Sequence, residues 1–300
     1  MKHQSTKAKQ TTRRCHWVPQ AYLKAFAADA EERLRIWRFS KHAGDPEHKK
    51  IEKVAVRFHL YVPRDKTGWR DDSFERKLAG LEQWFDDSVW RTLRDDMVDL
   101  DWEPLRKMVS LLTAVMFLRN PLHFEMIKRF HGQFVNLCSG PHGLPSTFEI
   151  GGKVYPVDLD SWPSYKDASE DDLKRLWINE INRATSYAEK LMKMRWSIIF
   201  SDEPLFITSD NPVTFIHPSL RFRGINYPDT AILLPLSPTR VLRMDNLHSE
   251  PANQYYPLQG SPAPQNLLMW RNSIDYMFSH RHPDSVCIEL LGDAERQEFA

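Results

Sequence analysis

The chain has 300 residues, 41% hydrophobic and 27% charged, with 41 Lys and Arg against 40 Asp and Glu for a formal charge of +1. This is an ordinary globular composition, long enough for one large domain or two modest ones, and nothing in the overall charge argues for a nucleic-acid or membrane surface. Any such surface must be a local patch. The three cysteines, Cys15, Cys138 and Cys287, are far apart and lack CxxC spacing, which excludes a zinc ribbon and points to reduced thiols in a cytoplasmic protein.

In chain order, "MKHQSTKAKQTTRR" carries five basic residues and no acidic one, without the apolar stretch of a secretory signal. It reads as a disordered basic arm over residues 1–14, with residues 15–300 forming a single α+β domain. In "RRCHWVPQAYLKAF" (13–26), Pro19 holds Val18 extended and starts a short helix, so His16 sits just outside a helix start. Tyr22, Leu23 and Phe26 give that helix a buried face. "RLRIWRFSK" (33–41) and "IEKVAVRFHLYV" (51–62) read as extended segments around a turn, "HAGDPEHKK". From Asp72, a capping carboxylate three residues before Glu75, an amphipathic helix runs with Phe74, Leu78, Leu81 and Phe85 on one face.

"DWEPLRKMVSLLTAVMFLRNP" (101–121) is the expected central helix of a helical lobe. Its apolar run "VSLLTAVMFL" (109–118) is too short to span a bilayer, and Pro121 breaks or restarts it. The Pro- and Gly-rich stretch near 140–165 reads as a surface insertion containing a hairpin at "FEIGGKVYPV". A helix capped by Ser169 then runs to about Met194 with Leu173, Leu176, Trp177, Ile181, Ala184, Ala188 and Leu191 inward. Beyond it come strands and tight turns, a helix over 264–280 and a closing strand "SVCIELL" (285–291). The expected fold is α+β: a central helical lobe packed on a mixed or antiparallel sheet built from N- and C-terminal strands.

Several residues could carry chemistry, each with a plainer role beside it. His16 is placed to act as base, ligand or hydrogen-bond donor, or only to satisfy a buried carbonyl. Cys15 is not its dyad partner, because neighbours in an extended segment point to opposite faces. Glu75 and Glu82 lie seven residues apart on nearly one helix face, which could equally be solvated. Arg119 ends the most apolar segment and either caps that helix or reaches into a cleft, where it would need a carboxylate or an anion. In "ITSDNPV" (207–213), Ser209, Asp210 and Asn211 stop a strand as a site turn would, or as an Asx turn that bonds its own backbone. His280 and His282 lack a second ligand pair, so no metal site is expected. The signatures of P-loop kinases, α/β hydrolases and zincins are absent.

The segments "HWVPQAYLKAF", "IWRFSK", "VAVRFHLYV", "DSFERKLAGLE", "VMFLRNP", "FITSDNPV" and "LPLSP" occur in this order and spacing. The set resembles the bacterial family known as domain of unknown function 4238, with its HxxVPxxYLxxF opening. The resemblance covers nearly the whole chain and implies that His16, Glu75, Glu82, Arg119, Ser209 and Asp210 occupy the family's characteristic positions. Trp17 stands where that opening usually has a second histidine or a tyrosine. The resemblance implies a shared fold and site without naming a reaction.

Three functions compete. In the first, the chain is an intracellular hydrolase or nuclease-like enzyme acting on an anionic, phosphate-containing substrate. His16, Glu75, Glu82 and Asp210 are then the catalytic candidates, and Gln20, Arg119, Ser209 and Asn211 the substrate-binding ones. In the second, the same polar cluster binds an anionic small molecule, nucleic acid or protein partner without turnover. In the third, it is a buried network that fixes how sheet and helical lobe meet. No cofactor or oligomeric state is assigned, and no membrane association is expected.

Overall fold

The computed structural model describes residues 14–298 apart from positions 30, 43, 141–142, 151 and 218–223. The expected basic arm therefore lies outside the described residues, except for Arg14. That residue opens β1 (Arg14–His16), followed by α1 (Gln20–Leu23), β2 (Arg35–Ser40), β3 (Glu47–Lys50) and β4 (Val56–Phe58). A helical stretch comes next: α2 (Ser73–Glu82), α3 (Ser88–Asp95), α4 (Glu103–Leu118) and α5 (Pro121–Cys138). The β5–β6 hairpin (Thr147–Ile150, Lys153–Pro156) precedes α6 (Trp162–Lys166), α7 (Glu170–Ile181) and α8 (Ala184–Lys193). The last third holds β7 (Arg195–Phe200), β8 (Thr208–Ser209), β9 (Thr214–Ile216), β10 (Ala231–Ser237), β11 (Arg240–Asp245) and β12 (Gln254–Pro257). It ends with α9 (Ala263–Asn272), β13 (Tyr276–Ser279) and α10 (Pro283–Glu298).

The fold is α+β. A five-stranded sheet ordered β12-β7-β11-β10-β9 is antiparallel except where β12 runs parallel to β7. A four-stranded antiparallel sheet ordered β3-β2-β13-β8 joins N- and C-terminal strands, as expected. β1 and β4 pair apart as a two-stranded ribbon, and the larger sheet draws only on residues after 194, so the one expected sheet is replaced by this ribbon and the two larger sheets. Tyr22 on α1 ties them together: its hydroxyl meets Thr208 Oγ1 of β8 at 2.8 Å and donates to Pro235 O of β10 at 2.7 Å.

The helical lobe centres on α4. Pro104 lies at its start, where a missing N–H costs nothing, and Leu105, Val109, Leu112, Val115, Met116 and Leu118 are buried along it. Full burial of each such side chain is worth roughly 1.5–3 kcal/mol before entropy is counted. The chain restarts at once: Asn120 Oδ1 accepts the Leu122 N–H at 2.9 Å and Pro121 takes the first position of α5. Ser169 and Asp172 form a reciprocal capping box on α7. The indoles of Trp177 and Trp196 bury in this core while donating to Leu118 O at 2.8 Å and Leu191 O at 2.9 Å.

Several local expectations are corrected. The helix expected from Asp72 onward divides at a 3-10 turn, Gln83–Asp86, because Asp87 caps α3 by accepting the Val89 N–H. Asp72 makes no side-chain cap bond; it pairs with Arg76, while Asp71 accepts the Ser73 N–H at 2.9 Å. Residues 51–62 hold a 3-10 turn and the short β4 in place of one long strand, and β3 begins within the expected turn. The helix after Ser169 breaks between Ile181 and Ala184, and Leu176 is 44% exposed. The helix expected over 264–280 ends at Asn272 and gives way to β13. The closing segment is helical: Val286 and Leu290, one turn apart, face a small cluster with Met269 and Met277, while Ile288 and Leu291 stay exposed.

Candidate functional site

The opening motif is held on both sides. Cys15 pairs with Arg57 across β1 and β4, the Trp17 N–H donates to Ala55 O at 3.0 Å, and the Trp17 indole donates to Asp210 O at 2.7 Å. This fixes the backbone of His16, whose half-buried ring is held in turn by Nε2 against Glu52 O at 3.2 Å. A carbonyl can only accept, so Nε2 carries the proton and Nδ1 presents a lone pair. Gln20, one turn along on α1, approaches Nδ1 with its amide nitrogen at 3.4 Å, a long bond that leaves that lone pair open to competition. Burial lowers the His16 pKa, against the pull of the Glu52 carbonyl and Glu82, so the ring is neutral at pH 7.

Behind His16 lies Arg119, at the carboxyl end of α4 and 1% exposed. Its guanidinium donates to the main-chain oxygen of His16 and to Glu82 Oε1, the latter at 2.7 Å, and its own carbonyl accepts from the Tyr61 hydroxyl. Burial opposes the charge, yet Glu82, together with Tyr61 and Glu75, holds the Arg119 pKa above its ordinary value. Among the described residues the Nε proton has no hydrogen-bond partner.

Glu75, two turns before Glu82 on α2, approaches the same arginine from a more buried position. Desolvation pushes its carboxyl up to about 7; Arg119 pulls the other way and Glu82 adds to the rise. The Cys15 thiol hydrogen-bonds to this carboxyl group, while Glu75 Oε2 is buried with no hydrogen-bond partner among the described residues. Burial first, and Glu75 second, push the Cys15 thiol up to about 11, so it is a proton donor and no nucleophile near neutrality. Cys15 and His16 thus turn to opposite faces of β1, one toward Glu75 and one toward Glu52 and Gln20.

The Ser209–Asn211 turn is organised differently. The Asp210 carboxylate accepts the N–H groups of Ile274, Asp275 and Tyr276 at 2.7, 2.9 and 3.0 Å, and its own N–H donates to Tyr276 O at 3.0 Å. Burial pushes its carboxyl up to about 6 against the pull of those three donors. Ser209 Oγ accepts the Asn211 N–H at 3.1 Å and lies 3.5 Å from Met269 Sδ. Asn211 exchanges bonds with Asn272 and accepts from Asn120 at 3.0 Å.

Of the eight candidates, His16, Gln20, Glu75, Glu82 and Arg119 therefore share one cluster. Ser209, Asp210 and Asn211 lie behind Trp17 and Asn120 with their side chains turned into the scaffold. Sequence reasoning missed the Glu52 carbonyl, Tyr61, Trp17 and Asn120. A carbonyl leaves no side-chain signal, but a tyrosine among apolar residues at "LYV" and an asparagine before a proline are readable as groups that need partners when buried.

Among the described residues no group of three or more His, Cys, Asp or Glu could hold a metal ion, and no helix is long and apolar enough to cross a membrane. His280 and His282 do not converge: His280 Nδ1 meets Ala27 O at 2.6 Å, while His282 packs on Trp37. No curated protein and no solved structure matches the chain. A family model does match, over residues 14–282, and by that match the chain belongs to the family described as "Protein of unknown function (DUF4238)".

Proposed function

We propose that the protein is a hydrolase acting on a phosphate-containing, anionic substrate, with His16 as general base. The reading rests chiefly on one observation: a neutral imidazole is locked by a main-chain carbonyl so that its basic nitrogen points toward a single long, replaceable contact from Gln20. A water displacing that contact would give its proton to Nδ1 as its oxygen attacks phosphorus; the bond from phosphorus to the ester oxygen breaks, and the imidazolium, stabilised by Glu82, returns the proton to that leaving oxygen. Arg119 does not reach for substrate in this reading. It is spent on Glu82 and the His16 main chain, and so positions both.

Anion binding falls instead to the surface beside His16. Arg14 and Arg57 are exposed on the β1–β4 ribbon, and no carboxylate lies within ion-pair distance of either among the described residues. Gln20 supplies an uncharged donor. Glu75, its carboxyl pushed up to about 7 by burial, belongs to the same electrostatic cluster. The Ser209–Asn211 turn takes no part in chemistry in this reading; it braces Trp17 and thereby the His16 backbone.

The alternative is a ligand-binding module that uses Arg14, Arg57, Gln20 and His16 without turnover. Both are tested by incubating the full chain with bis(p-nitrophenyl) phosphate and with a labelled oligonucleotide, with and without added divalent ions. Product release that His16→Ala abolishes supports the hydrolase. Saturable oligonucleotide binding without product supports the module, and neither event from a folded protein contradicts both.

A further inference from the structure

A second site lies away from this cluster. Between α5, α7 and α8 the structure contains a cavity of 640 Å³, within the size range of small-molecule pockets. Its walls are apolar and aromatic: Phe117 from α4, Ile127 and Phe130 from α5, and Leu176 and Trp177 from α7. Phe130 and Leu176 are 62% and 44% exposed, although each belongs to a helix that buries other apolar side chains in the core.

The polar groups that line this cavity include His123, Asn179, Glu180, Arg183 and Tyr187. Glu180 is oriented by the Tyr187 hydroxyl, which donates to Oε1 at 3.1 Å. Among the described residues its ion-pair partner is Arg183, 3.5 Å away and 75% exposed, a loose pair that water screens. His123 packs edge-on against Phe117 at 4.5 Å, and its ring nitrogens make no hydrogen bond among the described residues. Burial lowers its pKa, against the pull of Glu180, so the ring offers a lone pair as well as an N–H. An apolar chamber with a fixed carboxylate and a free imidazole lone pair suits a ligand whose apolar body ends in a donor-rich cation.

We infer that this cavity binds a hydrophobic amine, its apolar body between Phe130 and Trp177 and its ammonium at Glu180 and His123. The ammonium replaces Arg183 as the partner of Glu180. A hydrophobic carboxylate would meet repulsion from Glu180, and a neutral ligand of the same shape would gain the apolar contacts alone.

Isothermal titration of the full chain with 4-phenylbutylamine, 4-phenylbutanol and 4-phenylbutyrate separates these cases, since the three share a body and differ in the head group. The amine is expected to bind about tenfold more tightly than the alcohol, as one charge-assisted hydrogen bond would give, with the carboxylate weakest. Glu180→Gln should erase the advantage of the amine and leave alcohol binding unchanged. Ile127→Trp, which fills the chamber, should weaken all three. Circular dichroism verifies that both variants fold. Tightest binding by the carboxylate, equal binding of amine and alcohol, an unchanged amine advantage in Glu180→Gln, or no heat with any probe would each overturn the inference.

Discussion

Glu82 and Arg119 meet at 2.7 Å, joining the carboxyl ends of α2 and α4 through a pair in which the guanidinium is almost wholly buried and the carboxylate is one quarter exposed. The same guanidinium donates to the main chain of His16, so one residue sets the relation between two helices and the opening strand. Removing it leaves Glu82 without its cation and two acceptors without their donor. Arg119→Met is therefore expected to destabilise the fold by about 3 kcal/mol, and Glu82→Leu in the same background to recover much of that loss. Urea denaturation of the two single variants and the double variant checks this. Additive losses would mean that the pair is not coupled.

The raised pKa of Glu75 has a pH signature of defined sign. Its carboxyl stands at about 7 in the fold against an ordinary value of 4.5. Between these values the folded chain holds the proton more tightly than the unfolded one. The Glu75 contribution therefore falls as pH rises through that window, by up to about 3 kcal/mol, and is level above it. His16 acts in the opposite direction: its lowered pKa costs stability as pH falls through its ordinary range. The difference between wild type and Glu75→Gln isolates the carboxyl. Gln should gain on wild type progressively from pH 4.5 to 7.5; a pH-independent difference would contradict the raised pKa.

Asp210 should behave as a brace. Its three N–H donors at positions 274–276 hold the start of β13 to the end of β8. Asp210→Asn substitutes a donor for one of its two acceptor atoms and is expected to cost about 1–3 kcal/mol. Because the Trp17 indole reaches the Asp210 carbonyl, hydrogen exchange at the Trp17 indole N–H should rise in the same variant. Normal stability and unchanged exchange would count against this role.

How far the sequence carried differs from element to element. From its place after the largely apolar "VSLLTAVMFL", Arg119 was legible as either a helix cap or a buried guanidinium in need of a carboxylate or an anion; that Glu82 meets it was not, since that depends on how α2 crosses α4. The helical lobe, the hairpin and the cap at Ser169 follow from local chemistry. α10 did not, because the apolar run in "SVCIELL" mimics a strand, whereas only Val286 and Leu290 face the core and the helical period is masked by exposed Ile288 and Leu291. The Ser209–Asn211 turn was equally suited to a site or an Asx brace by residue type; its partners at positions 274–276 are more than sixty residues away and left no local trace. The Glu52 carbonyl that fixes the His16 tautomer is backbone, and its place depends on the 3-10 turn at Ile51–Lys53.

The most direct test of His16 as general base is the rate of cleavage of a labelled oligonucleotide by wild type and His16→Ala, each with its melting temperature measured in the same buffer. His16 is half-buried and donates one 3.2 Å bond, so its loss should shift stability by only about 1 kcal/mol. Cleavage should nevertheless fall by about a hundredfold or more, as loss of a general base requires. Undiminished cleavage by the folded variant, or a fall in cleavage that merely tracks unfolding, would contradict the assignment.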